Sequence, residues 1–572
     1  MHGTQHWLRR AAGTLTAAAL VSAGALALST TADAVTPAQT IAVATPTKIT
    51  TGDPATSFSG TAMNNSTQAI NNARYDISLT GDPGLSASDI TLEYALPDAM
   101  GNPTGTFAPV PLTGSTTATG GAITGSFGPA AGFTFPANTT LTSNFRISVR
   151  GGAPTGTLTS TVTLDQVVGS GTVALASDTD TVRVESQYVA VTPTRIVDTR
   201  VANPLNPGPL VGNNTSYVLD LTKTDVPLNE AAYVFNVTGV QPSRTGNLRI
   251  SAACGNPSPP TTSIVNYQPQ KDVANDLVVS NLGSAGQLCN KFTVYSDTAS
   301  ANVVIDLQGY FSSTTGFAGV SPARIVDTRT GTGGDAGAIP ANTSKTFQVT
   351  GAGNIPSGTT SVAINVTASQ PSGVGNLRVY PADNPVPTSS NVNYVPGVDK
   401  AAFVITKLSS DGKVTLYSDH SSTNVAIDVF GYLPVSSQAI TQPPVRVYDS
   451  RNTGGPIVAG TPRVVPVTTG TTSGVPTDAK AVVVSLTAIH VTGGKGVGNL
   501  RAYPGPIKPV VSNINYIGPN TDVANLAIVP LGDGGAITLA TEGSSMNAAV
   551  DVVGYIPADV QAPAGSQVRN AQ

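Results

Sequence analysis

Apolar and polar residues alternate over short stretches through most of the chain, at the two-residue period of half-buried β-strands. In SVAINVTA (361–368), for example, Val362, Ile364 and Val366 share one face. Gly, Pro, Asn and Asp cluster between such stretches, as the turns of antiparallel sheets require. No stretch after residue 34 has a convincing 3.6-residue period. The pattern predicts an all-β protein.

Residues 35–186 follow this alternation without any internal repeat. YDISLT (75–80) places Tyr75, Ile77 and Leu79 opposite three polar residues, and NFRISVR (144–150) has the same form. About 150 residues of such strands are typical of one β-sandwich. We predict an immunoglobulin-like domain here.

The rest of the chain contains three copies of one unit, marked by four landmarks. The opening landmark reads PTRIVDTR (193–200), PARIVDTR (322–329) and PVRVYDSR (444–451). GNLR, an Asn-Tyr pair and Asp-x-x-Gly-Tyr follow in that order in each copy. Copies more than a hundred residues long indicate tandem domains, each with its own core, and not a solenoid. We predict three homologous jelly-roll-like β-sandwiches at 187–315, 316–436 and 437–558.

This set of landmarks resembles a repeat domain of secreted and cell-surface proteins of high-GC Gram-positive bacteria. The resemblance covers about 187–557, and in that family the repeat occurs in tandem, often beside immunoglobulin-like or wall-active modules. It implies an extracellular, accessory binding role and brings no catalytic residue. The third copy departs from the pattern, because Ser485-Leu486-Thr487 replaces Asn-Val-Thr. A function that depends on the asparagine present as Asn236 and Asn365 in the first two copies is therefore not expected in the third.

The first 34 residues have the form of an export signal. Arg9 and Arg10 precede an apolar stretch, and Ala32-Asp33-Ala34 is a small-x-small cleavage site. We predict a signal peptide at 1–34 and a secreted product, with association with the cell wall as one outcome; a retained anchor is the alternative. No second apolar span follows, and the small, polar residues 559–572 are predicted to be a disordered tail.

Composition narrows the function. The chain has 59 Gly, 43 Pro, 11% charged residues and a net charge of −4, without a basic block, which argues against nucleic acid as a partner. After removal of residues 1–34 no Trp remains, and the only His are His420 and His490, which lie at non-equivalent positions. This pair does not suit a Ser-His-Asp site. Because a glycosidase that acts through two carboxylates needs no His, this class of enzyme stays open.

Charged residues recur at fixed places despite their scarcity. We interpret these as a structural polar motif, in which each Asp accepts turn amides or pairs with an Arg. An extended strand would place Asp198 and Arg200 on one face and Arg195 on the other, unless a turn begins at Asp198. The motif consists of Arg195, Asp198, Arg200, Asp306, Arg324, Asp327, Arg329, Asp428, Arg446, Asp449, Arg451 and Asp551.

A second recurring set, the Arg of GNLR and the Asn-Tyr pair, is the candidate binding site. Tyr can stack on a sugar ring, and Asn offers both donors and acceptors. The competing interpretation is that the Tyr rings anchor strand corners. The candidates are Arg249, Asn266, Tyr267, Arg378, Asn393, Tyr394, Arg501, Asn515 and Tyr516.

Cys254 and Cys289 both lie in the first copy, and export favours a disulfide between them. No metal-ligand spacing appears and no cofactor is predicted, although a structural Ca²⁺ in a loop such as 532–534 is possible. The sequence favours a non-catalytic protein for attachment or display at the cell envelope or extracellular matrix, binding a wall glycan or other polysaccharide through several sites. The alternatives are a structural spacer or adhesin that binds proteins, and a polysaccharide-degrading enzyme with an unrecognised carboxylate pair.

Overall fold

The computed structural model describes residues 38–557, except for the segments 82–83, 96–104, 117–119, 129–131, 151–152, 202–214, 255–259, 261, 284–286, 298–299, 335, 436, 469–470, 493–496, 510–511 and 518–521. The signal peptide predicted at 1–34 and the tail predicted at 559–572 lie outside the described residues. Within those residues, the helical structure consists of two 3₁₀ turns, Ala87–Asp89 and Leu221–Lys223. The prediction of an all-β protein is confirmed.

Twelve strands form the N-terminal domain. They are β1 (Gln39–Val43), β2 (Lys48–Thr50), β3 (Thr56–Asn64), β4 (Ile70–Gly81), β5 (Ile90–Ala95), β6 (Ala108–Pro109), β7 (Leu112–Gly114), β8 (Ala122–Phe127), β9 (Phe133–Phe135), β10 (Thr139–Val149), β11 (Gly156–Val168) and β12 (Gly171–Glu185). One sheet has the order β1-β3-β10-β5-β6 and the other β2-β12-β11-β4-β8-β7, with β9 also beside β4.

This order is that of an immunoglobulin-like sandwich with an added hairpin. β1-β3-β10-β5 corresponds to the A-B-E-D sheet of that fold and β12-β11-β4 to its G-F-C sheet. The hairpin β7–β8 extends the second sheet beyond β4. Tyr75, Ile77 and Leu79 are buried between the sheets, as the alternation of YDISLT predicts.

Each of the three copies has eight strands. The first has β13 (Tyr188–Asp198), β14 (Thr215–Asp220), β15 (Ala232–Val240), β16 (Gly246–Ala252), β17 (Val265–Tyr267), β18 (Val273–Ser280), β19 (Lys291–Ser296) and β20 (Asn302–Phe311). The second has β21 (Ala318–Asp327), β22 (Thr343–Gln348), β23 (Ser361–Ser369), β24 (Gly375–Pro381), β25 (Val392–Tyr394), β26 (Lys400–Lys407), β27 (Lys413–Asp419) and β28 (Asn424–Tyr432). The third has β29 (Ile440–Asp449), β30 (Arg463–Pro466), β31 (Ala481–Thr492), β32 (Val497–Tyr503), β33 (Ile514–Ile517), β34 (Val523–Pro530), β35 (Ala536–Glu542) and β36 (Ser545–Ile556).

All three copies are jelly rolls with the same strand order. In the first, β13-β20-β15-β18 form one sheet and β14-β19-β16-β17 the other, and the later copies repeat this order. The first strand thus pairs with the eighth, the second with the seventh, the third with the sixth and the fourth with the fifth, which is the double Greek key of a jelly roll. We call the sheet that contains the first, third, sixth and eighth strands the inner sheet and its partner the outer sheet.

The three jelly rolls close into a ring with quasi-threefold symmetry, which the sequence did not predict. The sixth strands β18, β26 and β34 contact one another. The fifth strand of each copy contacts the sixth strand of the next copy, and β33 of the third copy contacts β18 of the first, which closes the ring. Equivalent residues Val278, Ile405 and Ile528 belong to one hydrophobic cluster that spans all three copies. The inner sheets therefore bury apolar side chains on both faces.

The immunoglobulin-like domain is attached to the first copy by buried polar contacts. Lys48 Nζ donates to Glu230 Oε2 at 2.6 Å and to the Ser312 carbonyl oxygen at 2.7 Å. Glu230 is fully buried, and Arg183 contributes a second ion pair to it. These contacts hold the domain at one defined place on the ring.

Candidate functional site

The opening landmark forms the same turn in every copy. Asp198 Oδ1 accepts hydrogen bonds from the backbone N–H of Arg200 at 3.1 Å and from its Nε at 2.8 Å. The pairs Asp327–Arg329 and Asp449–Arg451 repeat this geometry. Hydrogen bonds from the arginine side chains hold the pKa of these three aspartates below the usual range. The aspartates stabilise the turn that ends the first strand.

The first arginine of the landmark joins this turn to the last strand. Arg195 Nε and Nη2 donate to the two oxygens of Asp306 at 2.9 and 3.3 Å, and Nη1 donates to Asp198 at 3.4 Å. The equivalent pairs are Arg324–Asp428 and Arg446–Asp551. Burial raises the pKa of Asp306, Asp428 and Asp551, although the facing arginine opposes this effect.

Arg195 and Asp198 lie on the same side of the first strand, and a turn follows Asp198, which is the exception that the sequence left open. Arg195 is paired with Asp306 and Val197 with Ile305, so Ile196 is the extra residue of a β-bulge. The bulge shifts the alternation by one residue and brings Arg195 and Asp198 to the same side. The other two copies have the same bulge.

The GNLR arginines are held by their own copies. Arg249 donates to the Pro260 carbonyl oxygen at 3.2 Å, and Arg378 donates to that of Pro387 at 2.9 Å. In these two copies the arginine holds the loop that follows its strand. Arg501 instead pairs with Glu542 through both Nη atoms, at 3.1 and 2.9 Å.

The interpretation of the recurrent tyrosines as stacking platforms is corrected by their burial. Tyr267, Tyr394 and Tyr516 are 2%, 3% and 1% exposed. Their hydroxyls are hydrogen-bonded inside the copy, for example Tyr394 Oη with Ser418 Oγ at 2.9 Å. A sugar ring cannot reach these faces, so the tyrosines fill the core.

The asparagines beside these tyrosines make a local contact that recurs in each copy. Asn266, Asn393 and Asn515 each accept a hydrogen bond through Oδ1 from a serine three residues earlier, at 3.1, 3.0 and 2.9 Å. The asparagine side chains are only partly exposed. With the tyrosine buried and the arginine engaged, the predicted triad does not form an open groove.

The Asn-Val-Thr segment (236–238 and 365–367), or its replacement in the third copy, joins neighbouring copies at two junctions, a role that sequence reasoning missed. Asn365 Nδ2, on the third strand of the second copy, donates to the Ser263 carbonyl oxygen of the first at 2.7 Å. Ser485, its counterpart in the third copy, donates to the Ser390 carbonyl oxygen of the second at 3.0 Å. The serine replacement therefore keeps the contact.

The junction that closes the ring uses different groups. Asp276 of β18 is 1% exposed and accepts hydrogen bonds from Asn236, from Gln308 at 2.8 Å and from Asn513 of the third copy at 3.4 Å. Its equivalents in the other copies are the apolar Phe403 and Leu526. The first copy thus has a buried carboxyl, surrounded by amide donors, at a position where the other two copies have an apolar side chain.

The predicted disulfide is present. Cys254 and Cys289 are bonded, with their Cα atoms 5.2 Å apart. Cys254 follows β16 and Cys289 precedes β19, so the bond joins adjacent strands of one outer sheet. It restrains the first copy and does not cross a junction.

The other candidate groups do not come together. His420 is exposed and lies 3.0 Å from Asp419, and the side chain of His490 is not among those described. Within the described part of the chain, no group of three or more His, Cys, Asp or Glu is placed to hold a metal ion. In the same residues we find no helix with the length and apolar character needed to cross a membrane.

Comparison with protein-family models gives no match, and comparison with curated proteins gives none. Among solved structures, an enzyme that catalyses macrocyclization in alchivemycin A biosynthesis is 15% identical, covering 26% of this chain and 90% of its own at a TM-score of 0.21. A family 123 glycoside hydrolase from Clostridium perfringens is 14% identical over 24% and 22% of the two chains (TM-score 0.15). A triple jelly roll protein from the turret of an archaeal virus is 11% identical over 64% and 90% (TM-score 0.16). With TM-scores this low, none of them bears on the function.

Proposed function

We propose that this is a non-catalytic extracellular protein for attachment or display, in which the three jelly rolls act together as one rigid head. The closed ring is the observation that supports this proposal. The recurrent polar residues of the copies stabilise turns, loops and junctions, which leaves them a structural role in building the head. The export signal predicted at residues 1–34 and the resemblance of the repeats to those of surface proteins favour the same interpretation.

We further propose a polymer of the cell envelope as the target. A head with fixed geometry loses little conformational entropy when it binds, because folding has already ordered it. Repeated units of a polymer also allow weak contacts to add up through effective concentration.

Sedimentation with purified cell walls tests this function. We expect the secreted chain to sediment with walls of a high-GC Gram-positive bacterium, whereas an unrelated acidic protein of similar charge stays in solution. A chain that remains in the supernatant would contradict attachment to walls. Release of reducing sugar from the walls would identify the protein as an enzyme instead.

A further inference from the structure

The second sheet of the immunoglobulin-like domain carries an open cleft of about 550 Å³ on its outward face. This volume lies within the range of small-molecule sites in proteins. The cleft is formed by β4, β7, β8 and β11, and its described lining residues all belong to the immunoglobulin-like domain. Its polar lining residues are Asp76, Ser78, Thr113, Thr124, Ser126 and Thr163.

The strand register sets the hydroxyl groups of the cleft side by side. Asp76 of β4 lies between Ser126 of β8 and Thr163 of β11, because both are its direct cross-strand partners. Ser78 has Thr124 as its partner on β8. Directly opposed side chains have Cβ atoms about 4.5–5.5 Å apart, so these hydroxyls form a continuous polar surface around one carboxylate.

One wall of the cleft has a fixed position. Pro111 lies between β6 and β7, and the preceding Val110 is 5% exposed and donates its N–H to the Leu92 carbonyl oxygen at 2.9 Å. Gly125 of β8 lies beneath this wall, where a Cβ atom would come within 2.8 Å of the Pro111 carbonyl oxygen. The glycine thus lets this wall approach the sheet.

One arginine, Arg74, and two aspartates, Asp76 and Asp165, lie at or beside the cleft. Arg74 Nη2 donates to Asp76 Oδ2 at 2.7 Å, and the Asp76 side chain remains 29% exposed. Asp165 of β11 is the cross-strand partner of Arg74 of β4 and is 5% exposed. Burial, together with the neighbouring Asp76 carboxylate, raises the pKa of Asp165 to about 6. A cleft with a carboxylate at its centre repels anions, and the paired arginine reduces its attraction for cations.

We propose that this cleft binds a neutral carbohydrate, with Asp76 accepting hydrogen bonds from sugar hydroxyls and the Ser and Thr side chains donating to and accepting from the sugar. Hydroxyl groups can act in both directions, and hydrogen bonds to a carboxylate are stronger than those between neutral groups. The site rests on the proposed attachment function and gives it a ligand class. No aromatic ring is among the described residues that line the cleft, so we expect the cleft to bind its carbohydrate weakly.

Affinity gel electrophoresis of the full secreted chain in soluble mannan, dextran and galactan tests this site. We expect at least one of these neutral polysaccharides to retard the chain. Asp76→Asn and, separately, Thr124→Val should each weaken the apparent affinity at least fivefold. Thr159→Val, on the same sheet face but paired with Thr80 and Thr181, which do not line the cleft, is the matched control and should bind like the parent. Melting temperatures show whether each variant is folded. If Asp76→Asn does not fold, Thr124→Val still tests the cleft.

The outcomes separate this site from the proposed function. Unchanged retardation of both cleft variants would overturn the site, as would retardation by acidic polygalacturonate alone. If the chain sediments with cell walls but no neutral polysaccharide retards it, the attachment function stands and the carbohydrate cleft is wrong. If neither walls nor polysaccharides bind it, both proposals fail.

Discussion

The two sheets of each jelly roll have the same number of strands but very different surroundings. All nine residues of β23, in the inner sheet of the second copy, are buried. In β22, an outer strand of the same copy, Phe347 is the one fully buried residue among six. The outer strand has the alternation of a sheet with one face in solvent, whereas the inner strand has lost it.

The difference shows that the second face of the inner sheet is an interface between copies. Phe403 and Ile405 point away from the core of the second copy and belong to the cluster shared with the first and third copies. The alternating pattern of β23 predicts its first face correctly, since Val362, Ile364 and Val366 are all buried. The small and polar residues between them are buried because neighbouring copies cover them.

Phe403→Asp should break the inner face most severely. Phe403 is 1% exposed and packs edge-on against Phe430 with ring centroids 5.5 Å apart. A charge at this place has no described partner, and we expect a loss of at least about 4 kcal/mol in the free energy of unfolding. Calorimetry should show the copies melting separately, because the shared cluster is disrupted.

Val374→Asp is the control for that experiment. Val374 lies just before an outer strand of the same copy and is 68% exposed, so the substitution should leave the melting curve unchanged. Equal effects of the two variants would contradict the assignment of the inner face as an interface.

Local order along the chain was predictable, but the ring was not. The strands, the jelly-roll class and the disulfide follow from alternation, turn residues and the export predicted for residues 1–34, which are local signals. Contacts between copies depend on the second face of β18, β26 and β34. The sequence does contain a signal there, because LVV (277–279), FVI (403–405) and LAI (526–528) are continuous apolar runs, as is typical of strands buried on both faces.

Asp276 should make the ring less stable as the pH rises from acidic to slightly above neutral. Burial raises its pKa to about 8, above the value of about 3.9 in an unfolded chain. As pH rises the unfolded state loses this proton first, so the free energy of unfolding falls between about pH 4 and 8. The upper limit is about 4 kcal/mol between pH 5 and 8, from about 1.4 kcal/mol per unit.

Denaturant titration of Asp276→Asn across this range measures the effect. The variant keeps the shape of the side chain but cannot ionise, so its stability should change much less between pH 5 and 8. Asp225→Asn, at an exposed position, should retain the parent profile. A parent protein with no loss of stability over this interval would show that the carboxyl stays solvated.

Asp428→Ala should cost about 2–3 kcal/mol. The substitution removes a fully buried carboxylate and leaves Arg324, whose side chain is 26% exposed, with its weaker contact to Asp327. Breaking a buried ion pair typically costs about 3–5 kcal/mol, and partial solvation of the arginine reduces this cost. Urea unfolding gives the value. Asp411→Ala removes a solvent-exposed pair with Lys413 and should have no measurable effect. Similar losses of stability in the two variants would refute the stabilising role of the Arg324–Asp428 ion pair.

Which recurrent residues serve structure could be predicted only in part. The pairing of Asp306 with an arginine follows from its place on a strand face that is otherwise apolar. That Arg195 is the arginine which contacts both Asp306 and Asp198 depends on a β-bulge, and the alternation of apolar and polar residues does not reveal a bulge. The cleft beside Asp76 was not predictable from the sequence, because its residues come from four strands and form a surface only through the register of the sheet. Ser and Thr at those positions look like ordinary solvent-facing residues in the sequence.

Removing the hydrogen bonds at the junctions between copies should have the smallest effect on stability. The same variants test whether a serine can replace the asparagine as donor. Asn365→Ala leaves the buried Ser263 carbonyl oxygen without this donor, and we expect a loss of about 1 kcal/mol. Ser485→Ala should have a similar effect through the Ser390 carbonyl oxygen. Asn365→Ser introduces the residue that already works at the equivalent place in the third copy, so part of the stability should return. Thermal melts of the three variants provide the comparison. If Asn365→Ser is as unstable as Asn365→Ala, the two junctions differ in backbone spacing, and the third copy's departure from Asn-Val-Thr compensates for that spacing and is not a neutral exchange of donors.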